Sequence, residues 1–242
     1  MNTSFFLFQF FKMGKDLLLK SVRFLEEFVT DNRLELINSN LKNRTQYITI
    51  VLENIFQPQN ASAVMRSCDC FGIQDLHVIE NSNEYQLNPE VVMGSSKWVD
   101  LYQYNQKEEN TLDAILSLKQ KGYRIVATSP HVNDVLLPDF DLQKGKAAFF
   151  FGTELTGVSD IVLEHADEFV KIPMYGFTES FNISVSAALV MSYLTTGLRR
   201  TNVAWHLNDI ELLKIKLDWL KKSVRKGDKI LNEYLKKEST GD

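Results

Sequence analysis

Polar side chains that could bind a small ligand or an anion are concentrated in three segments of this 242-residue chain. The clearest segment is 172–182, which is predicted to be a loop because Pro173 and Gly176 break regular structure. It leads into a helix whose apolar residues recur at the spacing of one buried face. Ser180 or Asn182 can cap that helix, and backbone N–H groups at a helix start favour acceptors and anions. An ordinary capped helix has the same local features, so this segment alone specifies no ligand.

The other two segments, 53–60 and 152–157, each follow a predicted strand. Asn60 is placed at the start of a helix over residues 61–71 that carries Arg66 among apolar neighbours. An arginine in such a setting needs an acceptor. That acceptor could be a carboxylate such as Glu154 in the second segment, or a phosphate of a substrate. Glu154 also has an ordinary interpretation, as a loop carboxylate that caps a helix end.

The elements around these segments alternate between strands and helices. The strands are short and mostly apolar, which is typical of a parallel α/β sheet that helices cover on both faces. In such sheets ligands bind at the carboxyl ends of the strands, and all three polar segments follow strands. The chain has no Gly-x-Gly, no Gly-Lys-Ser/Thr and no Gly-x-Ser-x-Gly, so the usual dinucleotide, P-loop and hydrolase sites are excluded. We predict strands at 47–52, 76–79, 98–104, 123–127, 147–151 and 169–172.

Charge is distributed unevenly along the chain, although the net charge is −4. Residues 1–46 sum to +2, residues 47–198 to −10 and residues 199–242 to +4. We predict three parts: a helical extension over 1–46, a core domain over 47–200 and a basic helical extension over 201–242. Basic terminal helices beside an acidic core suit a phosphate backbone as partner. A solvated lysine-rich helical surface has the same composition.

Cysteine and histidine give no sign of a metal site or a disulfide. Cys68 and Cys70 would point to different faces of one helix, and the four histidines have no ligand spacing. No apolar run approaches the length of a membrane-spanning helix, and the first eleven residues lack the basic leader and cleavage site of a signal peptide. These features predict a reducing, cytoplasmic setting without membrane contact.

Taken together, the three segments resemble a known family. Asn60-Ala-Ser-Ala-Val-Met-Arg66, Phe151-Gly-Thr-Glu154-Leu-Thr-Gly157 and Ile172-Pro-Met-x-Gly-x-x-x-Ser180-Phe-Asn182-Ile-Ser-Val-Ser resemble, in order and spacing, the three motifs of the SpoU family of RNA ribose 2′-O-methyltransferases in the SPOUT superfamily. The resemblance covers residues 47–200. Two departures are mild: Phe181 stands where many members carry Leu, and Gln59 where some carry His.

The resemblance implies a parallel-sheet α/β fold whose C-terminal part is threaded into a trefoil knot, and a homodimer with the site near the subunit interface. It implies S-adenosylmethionine as cofactor, held largely by backbone groups. A ribose 2′-hydroxyl would attack the sulfonium methyl, so the protein mainly positions the nucleophile and helps to remove its proton. The implied cofactor positions are Thr128, Gly152, Glu154, Ile172, Met174, Phe181 and Asn182.

By the same resemblance, activation of the hydroxyl depends on Arg66. A free guanidinium stays protonated at neutral pH and is a poor base. We therefore expect Arg66 to clamp an RNA phosphate and to lower the cost of forming the alkoxide. Asn60 would orient Arg66 or the ribose, and Glu154 would fix Arg66 or a loop. Ser180 and Asn182 would order the knot and complete the pocket.

The flanking segments bear on which RNA is the substrate. Only 46 residues precede the core, fewer than the separate N-terminal domain of many ribosomal members. Helical additions at both ends resemble the tRNA guanosine-2′-O-methyltransferases that act at position 18 of the D-loop. Lys97, Arg199 and Arg200 are the predicted phosphate contacts, with a solvated loop lysine and surface ion pairs as the alternatives. Methylation of ribosomal RNA and a non-catalytic RNA-binding relative remain open.

Overall fold

The computed structural model describes residues 14–128, 134–153 and 156–240. The chain divides into two compact units. One consists of Met1–Arg44 together with His206–Asp242, and the other of Thr45–Trp205. Among the described residues, no helix combines the length and the apolar composition needed to cross a bilayer.

The larger unit contains a seven-stranded sheet in which every pairing is parallel. The strand order is β3-β2-β1-β6-β4-β7-β5. This arrangement confirms the predicted parallel α/β fold, and it brings the carboxyl ends of all strands to one edge. The strands are β1 (Ile48–Glu53), β2 (Asp75–Ile79), β3 (Asp100–Tyr104), β4 (Arg124–Thr128), β5 (Val135–Leu136), β6 (Ala147–Phe151) and β7 (Glu168–Lys171).

Apolar side chains bury both faces of this sheet. The neighbouring strands β1 and β6 are buried at every residue, with Ile50 opposite Phe149. A strand that is apolar at successive positions needs cover on both sides. The cover comes from five helices of this unit, numbered along the described part of the chain: α3 (Pro58–Phe71), α4 (Pro89–Val92), α5 (Thr111–Gln120), α6 (Asp160–His165) and α7 (Ile183–Leu198).

Two apolar clusters correspond to the two faces. Residues of α3 and α7 form part of one cluster, which includes Met65 and Met191. Residues of α5 and α6 form part of the other, which includes Leu118 and Val162. The pairing of α3 with α7 brings together the helices that follow the first and third polar segments.

Several boundaries differ from the sequence prediction. The helix predicted over 61–71 begins at Pro58, with Gln57 as its N-cap, so the placement of Asn60 at the helix start was wrong. Proline is well tolerated in a first turn because its missing N–H would have no intrahelical partner. The predicted end at Gly72 is confirmed, with φ of 76°. Strand β3 begins at Asp100 because a 3-10 turn, Ser95–Lys97, precedes it.

The smaller unit is helical, as predicted for both ends of the chain. It contains α1 (Lys15–Glu26), α2 (Asp31–Leu41), α8 (Asp209–Ser223) and α9 (Gly227–Thr240). The C-terminal part of the unit contains two helices rather than one, because the chain turns at Lys226, which has φ of 62°. Helix α8 begins with a capping box between Asn208 and Glu211. The core of the unit includes Leu18, Leu25 and Trp219.

Candidate active site

The three polar segments start at the same edge of the sheet. Segment 53–60 follows β1, segment 152–157 follows β6 and segment 172–182 follows β7. Strands β1 and β6 are neighbours, and β4 separates β6 from β7. Because all seven strands are parallel, these segments leave the sheet on the side where α/β proteins bind ligands.

A hydrogen bond joins the first and third segments. Asn182 Nδ2 donates to Asn60 Oδ1 at 3.1 Å, and Asn60 Nδ2 donates to Gln57 Oε1 at 3.2 Å. Asn182 is also the N-cap of α7, because its Oδ1 accepts from the Ser184 backbone N–H at 2.9 Å and from the Ser184 hydroxyl at 2.6 Å. The structure thus brings two predicted site residues into contact, 122 positions apart in sequence, and it confirms that Asn182 caps the helix.

Arg66 lies on the solvent side of α3. The expectation that it sits in an apolar setting was wrong, since Val64, Met65 and Cys68 are buried while Arg66 is exposed. Within residues 14–128, 134–153 and 156–240 its guanidinium makes no hydrogen bond or ion pair. Glu154, the suggested partner, lies outside the described residues. An exposed guanidinium about one and two-thirds turns along the helix from Asn60, about 9 Å along its axis, is available to an anion.

The remaining residues of the third segment are accessible. Ser180 is exposed and Phe181 is 41% exposed. Across the described parts of the chain, the Ser180 hydroxyl makes no hydrogen bond to Asn60 or Asn182, and the Phe181 ring has no group that could make one. Their assignment as site residues therefore stays a prediction from the motif.

Four of the predicted cofactor positions lie at the carboxyl ends of three adjacent strands, whereas Phe181 and Asn182 lie at the start of α7 and Glu154 lies outside the described residues. Thr128 ends β4, and its hydroxyl donates to the Phe150 carbonyl at 2.8 Å. Gly152 follows β6 directly, and the half-buried Ile172 and Met174 follow β7.

The segment that begins at Gly152 folds back tightly on itself. Thr153 N donates to Gly157 O at 2.9 Å, and Gly157 N donates to Thr153 O at 3.0 Å. A Cβ on Gly152 would lie 1.8 Å from the Gly157 carbonyl oxygen, so only glycine fits. The turn and the loop that follows β7 offer backbone donors and acceptors beside apolar side chains. That set suits a nucleoside held largely through backbone groups.

Sequence reasoning missed Glu53, the last residue of β1. Its carboxylate is buried and accepts three hydrogen bonds, from the Thr111 hydroxyl and from the backbone N–H and hydroxyl of Ser159. The only signal in the sequence is a charged residue at the end of an apolar strand, which the pattern of apolar residues does not distinguish from the start of a loop.

The predicted phosphate contacts have different surroundings. Lys97 and Arg200 are exposed. The Arg199 guanidinium donates to the carbonyls of Thr195 at 3.0 Å and Phe71 at 3.3 Å, and it stacks on the Trp205 ring. Arg199 therefore joins the ends of α3 and α7, a packing role that the sequence did not indicate.

Two titratable groups with strongly shifted pKa values lie away from the three segments. Burial, reinforced by the nearby Asp100 carboxylate, raises the pKa of Asp75 to about 7 at the amino end of β2. Burial lowers the pKa of His77 to about 3, and its ring stacks on Tyr102. Within the described ranges no group of three or more His, Cys, Asp and Glu side chains could hold a metal ion.

Comparison with known proteins gives a matching family model, one similar relative and two similar solved structures. The model of the SpoU rRNA Methylase family matches residues 47–192. A tRNA (guanosine(18)-2′-O)-methyltransferase of Borreliella burgdorferi is 45% identical over 210 residues, which are 87% of this chain and 94% of the relative. The crystal structure of the Aquifex aeolicus TrmH/SpoU tRNA modifying enzyme superposes with a TM-score of 0.71 at 27% identity, covering 81% of this chain and 98% of that one. The SpoU methyltransferase AviRb of Streptomyces viridochromogenes, solved with AdoMet, shares the fold with a TM-score of 0.55 at 20% identity, covering 67% of this chain and 65% of that one.

Proposed function

Because this chain belongs to the SpoU rRNA Methylase family, we propose that it transfers a methyl group from S-adenosylmethionine to a ribose 2′-hydroxyl of tRNA, at guanosine 18 of the D-loop. The observation that carries the proposal is the 45% identity to a guanosine-18 enzyme over 94% of that relative's length. The match extends beyond the residues of the family model, so it includes terminal helices as well as the core. A soluble, cytoplasmic enzyme is the corresponding expectation.

The described residues at the carboxyl edge fit the cofactor. The backbone around Gly152, the end of β4 at Thr128 and the loop through Ile172 and Met174 would hold it, with Phe181 and Asn182 closing the third side. Bound S-adenosylmethionine supplies a methyl group on a cationic sulfur, which is an excellent leaving group. The resemblance also predicts that the C-terminal part of this α/β fold is threaded into a trefoil knot.

The side chains around this site have separate roles in the proposed reaction. We assign Arg66 to an RNA phosphate beside the target ribose, where its charge lowers the cost of forming the alkoxide. The hydrogen bond between the side chains of Asn60 and Asn182 holds the helix that carries Arg66 in a fixed position beside the third segment. Ser180 completes the pocket, and Glu154 is assigned to the same constellation from the motif alone.

An apolar stripe on α7 supports a homodimer. Val185, Leu189 and Tyr193 of α7 recur every four residues, Phe181 lies two residues before the helix, and each of the four is 40–45% exposed. Residues at this spacing share one face of a helix, and a row of half-exposed apolar side chains is typical of a surface that a partner covers. We infer that a second copy of the chain packs on this stripe, next to the third segment.

The terminal helices and nearby cations are assigned to the tRNA backbone. Ion pairs within the smaller unit neutralise several of its lysines, including Lys15 with Asp209, Lys20 with Glu238 and Lys216 with Glu26. We therefore expect the exposed Lys97 and Arg200 to matter more than the total basic count suggests. Binding that depends on phosphate contacts should weaken steeply as salt increases.

Methylation of defined RNAs tests the proposal. Purified protein, S-adenosylmethionine and an unmodified tRNA transcript should give 2′-O-methylation at guanosine 18, mapped by resistance of the ribose to alkaline cleavage. A transcript with 2′-deoxyguanosine at position 18 is the matched control, because it lacks only the accepting hydroxyl, and it should take up no labelled methyl group from S-adenosylmethionine. Methyl uptake is the readout for this control, since a deoxyribose is itself resistant to alkali.

Ribosomal RNA belongs in the same experiment, because the family description includes rRNA enzymes. Methylation of ribosomal RNA alone would transfer the assignment to that substrate. Absence of S-adenosylmethionine binding in calorimetry would instead identify a non-catalytic RNA-binding relative.

A further inference from the structure

Glu53 begins the first segment and hydrogen-bonds to Ser159, two residues beyond the second segment, without belonging to any of the three motifs. We propose that Glu53 is a positioning residue that holds the turn after β6 in the geometry needed to bind the cofactor. The expected effect on catalysis rests on the proposed function. The hydrogen bonds of Glu53, on which the inference is based, do not depend on which substrate is bound.

The carboxylate accepts from two different elements. Glu53 Oε2 accepts from the Ser159 backbone N–H at 2.8 Å, and Oε1 accepts from the Ser159 hydroxyl at 2.7 Å. Oε1 also accepts from the Thr111 hydroxyl at 2.7 Å. Glu53 is only 3% exposed, so water cannot replace these donors. One buried side chain thus joins the end of β1 to the starts of α5 and α6.

These bonds fix the turn because of where Ser159 lies. The turn starts after Phe151, whose position is set by its pairing with Leu52 of β1. It closes where Gly157 exchanges two backbone hydrogen bonds with Thr153, and Ser159 follows two residues later. Both ends of the turn are therefore attached to consecutive residues of the same strand, Leu52 and Glu53. The first attachment is made by the backbone and the second by the Glu53 carboxylate.

Packing alone would not require a carboxylate at this position. Val158, Val162 and Ile79 belong to the apolar cluster on this face of the sheet, and an apolar side chain could have extended it. Replacing a buried charged group by well-packed apolar residues is often neutral or stabilising. A group that accepts three directional bonds specifies orientation, which an apolar contact does not.

The experiment compares Glu53→Ala and Glu53→Gln with Leu118→Ala. Leu118 is fully buried in the same apolar cluster and lies on α5, outside the three segments, so its truncation serves as a control for general destabilisation. The Glu53→Gln side chain can keep its amide oxygen on the Ser159 N–H, while the two hydroxyls rotate to accept from its amide group. Glutamine should therefore rescue what alanine loses.

Four readouts separate positioning from stability. Hydrogen exchange of the peptide that covers 152–163 should rise in Glu53→Ala and stay at the wild-type rate in Leu118→Ala. The dissociation constant for S-adenosylmethionine, measured by calorimetry without RNA, should rise about tenfold in Glu53→Ala, and kcat should fall about 10- to 100-fold, as expected for misplacement on the order of 1 Å. The tRNA dissociation constant should change less than twofold.

Other outcomes would overturn the inference. Equal losses of cofactor affinity in Glu53→Ala and Leu118→Ala at matched melting temperature would show that Glu53 contributes only stability. Unchanged exchange over 152–163 would show that the turn holds its geometry without Glu53. If Glu53→Ala does not fold, Ser159→Ala removes one of the three bonds and should give a smaller change in the same direction. Wild-type protein that binds S-adenosylmethionine but methylates no tRNA would refute the proposed substrate and leave the calorimetry and exchange readouts in place.

Discussion

The carboxyl edge of the sheet, where the parallel strands end, and the amino edge, where they begin, each contain a buried carboxylate. The two carboxylates have opposite environments. Glu53, at the carboxyl edge, accepts three hydrogen bonds from Thr111 and Ser159. Asp75, at the amino edge, accepts from the side-chain amide of Gln46 at 2.9 and 3.0 Å and lies near the Asp100 carboxylate. The first group is held by donors from two helices, whereas burial and a like charge favour the protonated form of the second.

This difference shows at which edge side-chain hydrogen bonds fix the positions of neighbouring segments. At the carboxyl edge, side chains connect segments that come from β1, β6 and β7. At the amino edge, Asp75 is buried where none of the three motifs extends. Substitutions at the carboxyl edge should therefore change catalysis, whereas those at the amino edge should change only stability.

The largest effect is expected for Arg66→Ala. Removing the guanidinium should lower methyl transfer about 10²- to 10³-fold, because it removes stabilisation of the developing alkoxide. Arg66 is exposed and lies on α3, so S-adenosylmethionine affinity and melting temperature should stay at wild-type values. Single-turnover methylation and calorimetry measure the two quantities.

Two variants sharpen that result. Arg66→Lys keeps the charge but loses the planar fork, and should recover only part of the rate. Lys144→Ala removes an exposed positive charge from the loop before β6, at the amino edge, and should leave the rate unchanged. Equal losses in Arg66→Ala and Lys144→Ala would mean that only overall charge matters.

Gly152→Ala should remove cofactor binding. The added Cβ would lie 1.8 Å from the Gly157 carbonyl oxygen and 2.3 Å from Val158 N, both backbone atoms that cannot rotate away. The turn must open, at a cost of about 1–3 kcal/mol in stability. Calorimetry with S-adenosylmethionine and thermal unfolding measure the two effects.

Gly176→Ala is the steric control for this substitution. Its Cβ would meet only Thr178 N, at 4.0 Å, so the free energy of unfolding should not change. A Gly152→Ala protein that binds S-adenosylmethionine normally would exclude the turn from the cofactor site.

A smaller effect is expected for Asn182→Ala. The variant loses the N-cap bonds to Ser184 and the bond to Asn60, at a cost of about 1–2 kcal/mol. We expect kcat to fall roughly tenfold, because α3 and the third segment lose their connection. A double-mutant cycle with Asn60→Ala should give a coupling energy of about 0.5–1 kcal/mol.

The matched control for the cap is Asn208→Ala at the start of α8. Asn208 accepts from the backbone N–H groups of Ile210 and Glu211, so its loss should cost similar stability. Methyl transfer should be unaffected below the melting temperature. Additive effects of Asn60→Ala and Asn182→Ala would show that their hydrogen bond does not couple the two segments.

The sequence predicted the features that repeat along the chain and missed those that depend on contacts between distant segments. Continuous apolar runs correctly indicated a parallel sheet, and Gly72 correctly indicated the end of a helix. The exposure of Arg66 was missed because apolar neighbours in sequence lie on other faces of a helix. The role of Glu53 depends on Thr111 and Ser159, which lie 58 and 106 positions away, and no local pattern carries that information. The motif predicted Asn60 and Asn182 as site residues, but only the structure shows that they contact each other.

Asp75→Asn should leave catalysis unchanged and alter how stability depends on pH. The pKa of Asp75 is raised to about 7 in the folded protein, mainly by burial and then by Asp100, against about 3.9 for an unfolded aspartate. The folded state therefore binds the proton more tightly. The stability from protonated Asp75 is fully present below pH 4 and is lost as the pH rises to about 7.

Asparagine is neutral throughout and can still accept from Gln46, so the variant should be about 1–2 kcal/mol more stable than wild type at pH 8. Urea unfolding at pH 4.5, 6 and 8 measures this difference, and equal slopes with pH in the two proteins would mean that the Lys121 and Lys146 charges already compensate the Asp75 carboxylate.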